Sequence, residues 1–591
     1  MRTSLLAPCL SPSQPGHPAL SPSKALLLVP LLLAACASTP LPSWTISSSP
    51  PTSPATPLAI PAANTPAPAT APVLPAAPYS AAVAARFPAP SVAYSTPGLQ
   101  TGRTAFTSQT EIQTWLRDQV AAARRTPGLT AAVLPIGMSQ RGQTIEALVL
   151  TRAADTDPAT LLASGKPTVL LTGQQHGNEP AGSEALLVIA RELAQGLLQP
   201  QLERINVVIV PRANPDGAAS DQRVTASGLD MNRDHLLLNT PEAQALARLV
   251  RDYHPAVVVD AHEYTVVGRF LEKFGHIQKF DALMQYATTA NVPEFLTKAA
   301  EEWYRRPMLA ALKTQGLSSE WYYTTSSDLQ DKKISMGGTQ PDTGRNVGGL
   351  KNSVSLLIET RGVGLGRLHI QRRVHSHVTA IASVLGSTAQ RAAELTQLRP
   401  YLDKEVSAKA CKEDAVLEAA PTAAQYELLM LDPTTGADKA VNVDWDSALA
   451  LRNIRMRVRP CGYWLAATAN TAVERLRLHG VQVQRVAEAG SLLGDSYRET
   501  SRSTGERQDV RGTIADGNKR IIQVQVSLAR SVLDAPASSY YVTLNQPLGN
   551  LVFAALEPDT QSSYFANQIL QNLQDAVRVM APPTIKLEDA P

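Results

Sequence analysis

Pro167-Thr-Val-Leu-Leu-Thr-Gly173, followed by Gln174-Gln-His-Gly-Asn-Glu-Pro-Ala-Gly182, is the stretch on which the fold turns. Its first half is an apolar, β-branched run bounded by Pro and Gly, and it reads as a buried strand. Pro180 fits the first position of a helix that runs to about Leu198. Strand, polar loop and helix in that order are the unit of an α/β domain, and the alternation recurs from Gly102 to Gln390. Further strands are expected at Ile205–Val210, Ala256–Asp260 and Val354–Ile358. Gln109–Ala123 reads as an amphipathic helix with Ile112, Trp115, Leu116 and Val120 at helical spacing, and Ser108 with Glu111 forms a capping box at its start. A third helix is expected over Arg367–Leu385.

The polar residues fall at strand ends. His176 and Glu179 lie in the loop after the first strand, His262 just after Asp260, and Glu359 directly after Ile358. Ligands of open α/β sheets bind at the carboxyl ends of strands, so these four groups are expected to converge. Two imidazoles and a carboxylate make a three-ligand zinc set with one position left for water. A further carboxylate outside that set suits a general base. A lone His-x-x-Glu pair says little, and the company of His262 and Glu359 gives it meaning.

The string His176-Gly-Asn-Glu179-Pro-Ala-Gly resembles the zinc-binding signature of the carboxypeptidase A-like family of zinc carboxypeptidases. In order after it come Val210-Pro-Arg-Ala-Asn214-Pro-Asp-Gly217, Met231-Asn232-Arg233, Val258-Val259-Asp260-Ala261-His262 and Leu357-Ile358-Glu359-Thr360-Arg361, each similar to a motif of that family. The resemblance implies an α/β/α sandwich with a mixed central sheet and hydrolysis of the C-terminal peptide bond of a peptide substrate. It implies one zinc per chain on His176, Glu179 and His262, with Glu359 as general base. Arg223 would polarise the scissile carbonyl, and Asn232 with Arg233 would hold the substrate's terminal carboxylate, a task suited to the guanidinium fork. One departure stands out. The family's mobile tyrosine, about twenty residues before the glutamate, has no counterpart in Met336-Gly-Gly-Thr-Gln-Pro-Asp-Thr-Gly-Arg-Asn-Val-Gly-Gly349, while Tyr322 and Tyr323 lie further back. This glycine-rich segment is itself expected to be a mobile lid or specificity loop. Two other functions stay open at this point: an N-acyl-amino-acid hydrolase on the same scaffold, and a non-catalytic envelope-binding lipoprotein. His235, Glu263, His375 and His377 are expected outside the site.

Around this centre the 591-residue chain carries 44% hydrophobic and 18% charged residues, a balance suited to globular domains with real cores. The net charge of +3 gives no electrostatic case for a nucleic-acid partner. None of the four cysteines forms a CxxC pair, so a thiolate zinc site is excluded. Cys411 and Cys461 either form one disulfide in an oxidising compartment or are two buried thiols. The apolar run Ala25–Ala35 is too short to span a bilayer and suits a signal-peptide core. Leu33-Ala34-Ala35-Cys36 resembles the bacterial lipobox, which implies an N-terminal lipid on Cys36 as the chain's membrane contact. By analogy, the absence of aspartate after Cys36 favours the periplasmic face of the outer membrane. Residues 1–36 are thus expected to be a lipoprotein signal peptide, the alternative being a plain secretory signal with a soluble periplasmic or secreted chain, and 37–100, rich in Pro, Ala, Ser and Thr, a disordered tether. A catalytic domain is expected over 101–395 and an accessory α+β or β-rich domain over 396–591. Within the latter, Arg520–Ser527 and Tyr540–Leu544 read as strands, Ala472–Gly480 and Ser563–Met580 as helices.

Overall fold

The computed structural model describes residues 77–589. The expected signal peptide, and the expected tether up to residue 76, lie outside the described residues. A mixed eight-stranded sheet forms the centre. Its strands run Thr130–Met138, Thr144–Thr151, Asn206–Val210, Thr168–Gly173, Val257–Thr265, Val354–Val363, Ala282–Tyr286 and Ser319–Trp321 from edge to edge. The middle four are parallel, and antiparallel pairs flank them on both sides.

Alternation along the strands builds two cores. Val169, Leu171, Val207 and Ile209 face one way, toward helices Gln109–Ala123, Pro180–Gln195 and Ile370–Gln390. Leu170, Val208 and Val210 face the other way, against Ala245, Leu246 and Leu249 of helix Pro241–Tyr253. The architecture is therefore an α/β/α sandwich. Helix Gln109–Ala123 starts where the sequence places it, with both halves of the Ser108–Glu111 capping box formed.

Two expectations change. Residues 79–99, expected as tether, are folded: Tyr79, Val83 and Phe87 are buried beside Tyr264, Phe270 and Tyr323, and Tyr94 and Leu99 join the central core. Enough aromatic and aliphatic surface is present there to offset the ordering entropy. The C-terminal third is β-rich, one of the two forms expected for it, and strand pairing joins it to the catalytic segment. Its long strands Asp414–Leu431 and Asp438–Val458 pair with Ile277–Gln278 and Ile334–Ser335 of the catalytic segment in one five-stranded sheet. A seven-stranded sheet follows, and in it Ser563–Met580 is not a helix: Ala576–Val579 is a strand paired on both sides. Pairing on both edges outweighs a helical hydrophobic spacing. Asn470–His479 is helical as expected, with Gly480 at φ 94° closing it.

Cys411 and Cys461 form a disulfide that closes a 50-residue loop around the first of these long ribbons. Loops of this size stabilise a fold by about 2–4 kcal/mol when cross-linked. The Cys411→Ser/Cys461→Ser double variant is expected to unfold in urea with a free energy lower by about that amount. An unchanged midpoint would show that the bond contributes nothing.

Lys351, at the end of helix Gly344–Leu350, is buried, and burial, then Arg399 and Arg251, lower its pKa to about 7 from 10.5. The unfolded chain therefore holds one more proton than the fold between pH 7 and 10.5, and stability rises with pH across that window. Lys351→Met is expected to raise stability at pH 6 by a few kcal/mol, on the order set by burying an unpaired charge. It should also flatten the profile up to pH 10, and a parallel profile from denaturant titrations at pH 6, 8 and 10 would refute the assignment.

Candidate active site

The loop after Thr168–Gly173 makes the first half of the site. Gly177 packs so closely on the turn at Gly217 that a Cβ there would lie 1.9 Å from the Gly217 carbonyl carbon. This contact presses His176 and Glu179 inward over the sheet edge. Glu179 then precedes helix Pro180–Gln195.

The other half comes from two neighbouring strands. Val257–Thr265 and Val354–Val363 are longer than expected, so His262 and Glu359 lie within them rather than after them. The strands are parallel, and Glu359 is the register partner of His262. Both side chains therefore stand on the same face of the sheet.

His176, Glu179 and His262 converge, and their donor atoms lie within 4.8 Å of one another. His176 Nδ1 is 2.8 Å from Glu179 Oε1, His262 Nδ1 is 2.8 Å from Glu179 Oε2, and the two Nδ1 atoms are 3.0 Å apart. The outer nitrogens meet other carboxylates. His176 Nε2 lies 3.1 Å from Asp230 Oδ1, and His262 Nε2 lies 2.8 Å from Asp260 Oδ2. Each Nε2 lies against a carboxylate, and a tautomer with its proton there would leave both Nδ1 lone pairs directed at the same point. That is the arrangement a cation needs, and two imidazoles with one carboxylate fit zinc.

Charge follows this geometry. Burial would raise Glu179, but the two imidazoles hold its carboxyl far below the usual range. Burial would lower His262, but Asp260 and Glu179 carry it well above its ordinary value. Asp230, also opposed by burial, is held well below by Arg223 and His176. Glu359 goes the other way: burial, then the charge of Glu179, raises it. Among the described residues the Glu359 carboxylate accepts no hydrogen bond, and it opens on a cavity of about 350 Å3 shared with Glu179, Arg223, Tyr322 and Arg511. A larger cavity, about 530 Å3, lies elsewhere against Val416–Ala419 and Ile522–Gln525 and touches none of these groups.

Arg223 joins the cluster. Its Nε and Nη2 donate to Asp230 Oδ2 at 3.0 and 2.8 Å, while Nη1 lies 3.2 Å from His176 Nδ1. Asn232 and Arg233 are close by but otherwise engaged. Asn232 Nδ2 is 3.2 Å from His262 Nε2, and its Oδ1 accepts the Gly344 N–H. Arg233 donates through Nε and Nη2 to Asp509 at 3.0 and 2.5 Å, and through Nη1 to the Asn232 carbonyl. Both side chains hold partners within the chain, and the one on Arg233 reaches it from the far C-terminal region.

The remaining expectations resolve plainly. The second half of the glycine-rich segment is the buried helix Gly344–Leu350. Tyr322 lines the cavity beside Glu359. Glu263 points away and accepts from Arg373 and from the Ala181 N–H. His377 contacts Thr360, and His375 contacts Tyr94. His235, though outside the cluster, reaches it through Gln175, which donates to Asp260. Sequence reading passed over Asp230 and Asp260. Each sits two residues before a residue already singled out, Asn232 and His262, which was the available signal.

A buried His-Glu-His cluster on an α/β/α sandwich, with a free glutamate beside it, defines a zinc peptide hydrolase. Residues 115–362 match the family model for zinc carboxypeptidases, and the chain is similar to that family over this segment. Carboxypeptidase 2 of Trichophyton rubrum is 28% identical over 410 residues, covering 68% of this chain and 74% of that protein. Carboxypeptidase D of Mus musculus is 38% identical over 113 residues, 17% of this chain and 8% of that protein. Carboxypeptidase A from Helicoverpa armigera superposes with a TM-score of 0.38 at 14% identity, over 53% of this chain and 79% of that chain.

Proposed function

We propose that this metallocarboxypeptidase removes the C-terminal residue of peptides, with His176, Glu179 and His262 holding one zinc and Glu359 acting as general base. The convergence of two inward-facing Nδ1 atoms and one carboxylate beside an unpartnered Glu359 is the observation that supports it. Zinc, when bound, supplies a Lewis acid for the scissile carbonyl and lowers the pKa of water. Glu359, raised in pKa, takes a proton from the attacking water and returns it to the leaving amine. Arg223, fixed by Asp230 through two nitrogens, keeps Nη1 beside the cluster to stabilise the developing oxyanion.

The test uses zinc content together with trimming of one peptide carrying a free C-terminus and its amidated twin. One zinc per chain, loss of trimming with a chelator, and recovery with zinc are expected for the free peptide only. Cleavage confined to N-acyl amino acids would move the substrate to that class. A chain that neither binds zinc nor trims any peptide would sink the proposal.

We further propose that the chain is exported and anchored by a lipid on Cys36. The Leu33-Ala34-Ala35-Cys36 motif and the Cys411–Cys461 disulfide, which calls for an oxidising compartment, support this. Cys36→Ser is expected to shift the protein from the membrane to the soluble fraction of a bacterial host, and an unchanged distribution would refute the anchor.

A further inference from the structure

The C-terminal region sends a hairpin into the catalytic cleft. Gln508–Asp509 pairs antiparallel with Gly512–Thr513, and Val510 and Arg511 form the turn. The hairpin is fastened from both sides. Arg507 is buried, donates to the Arg233 carbonyl at 2.9 Å and pairs with Asp342 at 3.1 Å. Ala515 accepts the Asp230 N–H at 2.8 Å, and Arg511 accepts the Ser327 N–H at 3.0 Å through its carbonyl. Gly512 has φ 117°, and a Cβ there would lie 2.8 Å from Ser327 Oγ, so the turn is built for glycine.

Asp509 has two contacts at this tip. One oxygen takes both forked donors of Arg233, and the other accepts the Arg511 N–H at 2.7 Å. The first contact fills the arginine expected to receive a substrate carboxylate. The second holds the turn so that the Arg511 side chain lies in the cleft. Arg511 lines both the cavity containing Glu179 and Glu359 and the narrow recess containing His176, Arg233 and Arg345.

Two of the cleft's cations, Arg511 and Arg345, lack a carboxylate partner, and of these Arg511 alone also lines the cavity containing Glu179 and Glu359. Arg223 pairs with Asp230, Arg233 with Asp509, and Arg507 with Asp342. Among the described residues Arg511 forms no ion pair. Arg345 forms none either; its Nη2 donates to the Gly338 carbonyl at 3.1 Å, and its buried Nε has no partner. The neighbouring charge of Arg223, then burial, depresses Arg511, as expected for a cation lacking its anion. A guanidinium held in a catalytic cleft without a counter-ion is a receptor for a planar, bidentate anion.

We propose that Arg511, carried into the cleft by the C-terminal hairpin, is a specificity-determining residue that binds a carboxylate of the peptide substrate. The inference rests on the carboxypeptidase reading above. The carboxylate has two sources, the substrate's C-terminus or an acidic side chain on its last residue.

The zinc-loaded full chain is compared with Arg511→Gln, Arg511→Lys and Asp509→Asn on N-blocked dipeptides ending in Leu, Gln or Glu. Thermal unfolding confirms that each variant is folded. Losing a charge-assisted pair should raise KM for Arg511→Gln by roughly 10- to 100-fold with kcat little changed. Arg511→Lys should recover part of the loss, because charge returns without the fork. A loss on all three substrates assigns the terminal carboxylate, and a loss on the Glu substrate alone assigns the side chain. An unchanged KM throughout overturns the proposal. Asp509→Asn should lower kcat/KM by loosening the turn; a rise would make the hairpin a plug over Arg233 and overturn it as well. Calorimetric binding of free leucine and free glutamate to the zinc-loaded wild type and Arg511→Gln separates this idea from the reaction. If the wild type trims nothing, weaker binding to the variant still supports the proposal, and equal binding still defeats it.

Discussion

Glu359→Gln is expected to keep one zinc per chain and to lower kcat for C-terminal trimming by about 10²- to 10⁴-fold, the usual contribution of a general acid–base group. The expectation follows from the two-strand register. Glu359 stands opposite His262, on the same face of the sheet, yet its carboxylate is not one of the three that converge. Gln keeps the shape and removes only the ability to take a proton, so the ligand set survives. Burial and the charge of Glu179 already disfavour the ionised form at 359. The variant should consequently be at least as stable as the parent, which separates lost chemistry from lost folding. Zinc content by atomic emission and single-turnover trimming check the two halves. Loss of zinc would make Glu359 a ligand, and an unchanged kcat would remove it from the reaction.

The ligands were legible in the sequence because each sits where an apolar strand gives way to a polar residue. What misled was the assumption that hydropathy marks the strand's end. Asp260 and His262 continue a buried ladder because each finds a partner, His262 in Asp260 and Glu179, Asp260 in Gln175. A polar residue satisfied in this way costs little to bury, and the strand runs on to Thr265. Glu359 and Thr360 extend their strand likewise, with Thr360 meeting His377.

The arrival of Asp509 at Arg233 was closed to such reading. In the linear chain Asp509 and Arg511 are two charges in a polar turn, 276 residues from Arg233 by the first of them, and that composition ordinarily means a solvated loop. Only the second and third sheets, which bind the C-terminal third to the catalytic segment, bring the turn to the cleft. The Ser563–Met580 helix failed for a related reason. Tyr564, Phe565, Ile569 and Leu570 are buried through irregular turns, and the strand Ala576–Val579 gains its order from partners distant in sequence.

Asp230 carries the other large effect. Its carboxylate accepts from Arg223 at two nitrogens, lies 3.1 Å from His176 Nε2, and accepts the Asn232 N–H at 2.9 Å. Removing it therefore acts on metal and fold together. Without the anion, His176 loses the partner that keeps its proton on Nε2, and Nδ1 is no longer held as a lone pair toward Glu179. Loss of such an outer partner lowers metal affinity by about 10- to 100-fold. Arg223 is left as a half-buried charge with its 3.2 Å contact to His176 Nδ1 and a weaker 3.5 Å contact to Glu179, and breaking a buried pair on one side costs up to roughly 3–5 kcal/mol. Asp230→Ala is thus expected to bind zinc more weakly in chelator competition, to unfold at lower urea, and to trim peptides poorly even at saturating zinc. Arg223→Ala serves as the control: it removes the orphaned charge's source but leaves Asp230 on His176, so zinc affinity should hold while trimming falls. If Asp230→Ala binds zinc as tightly as the parent, the tautomer of His176 is set by something other than this carboxylate. If Arg223→Ala loses zinc to the same degree, Asp230 acts on the metal through the arginine rather than through the imidazole.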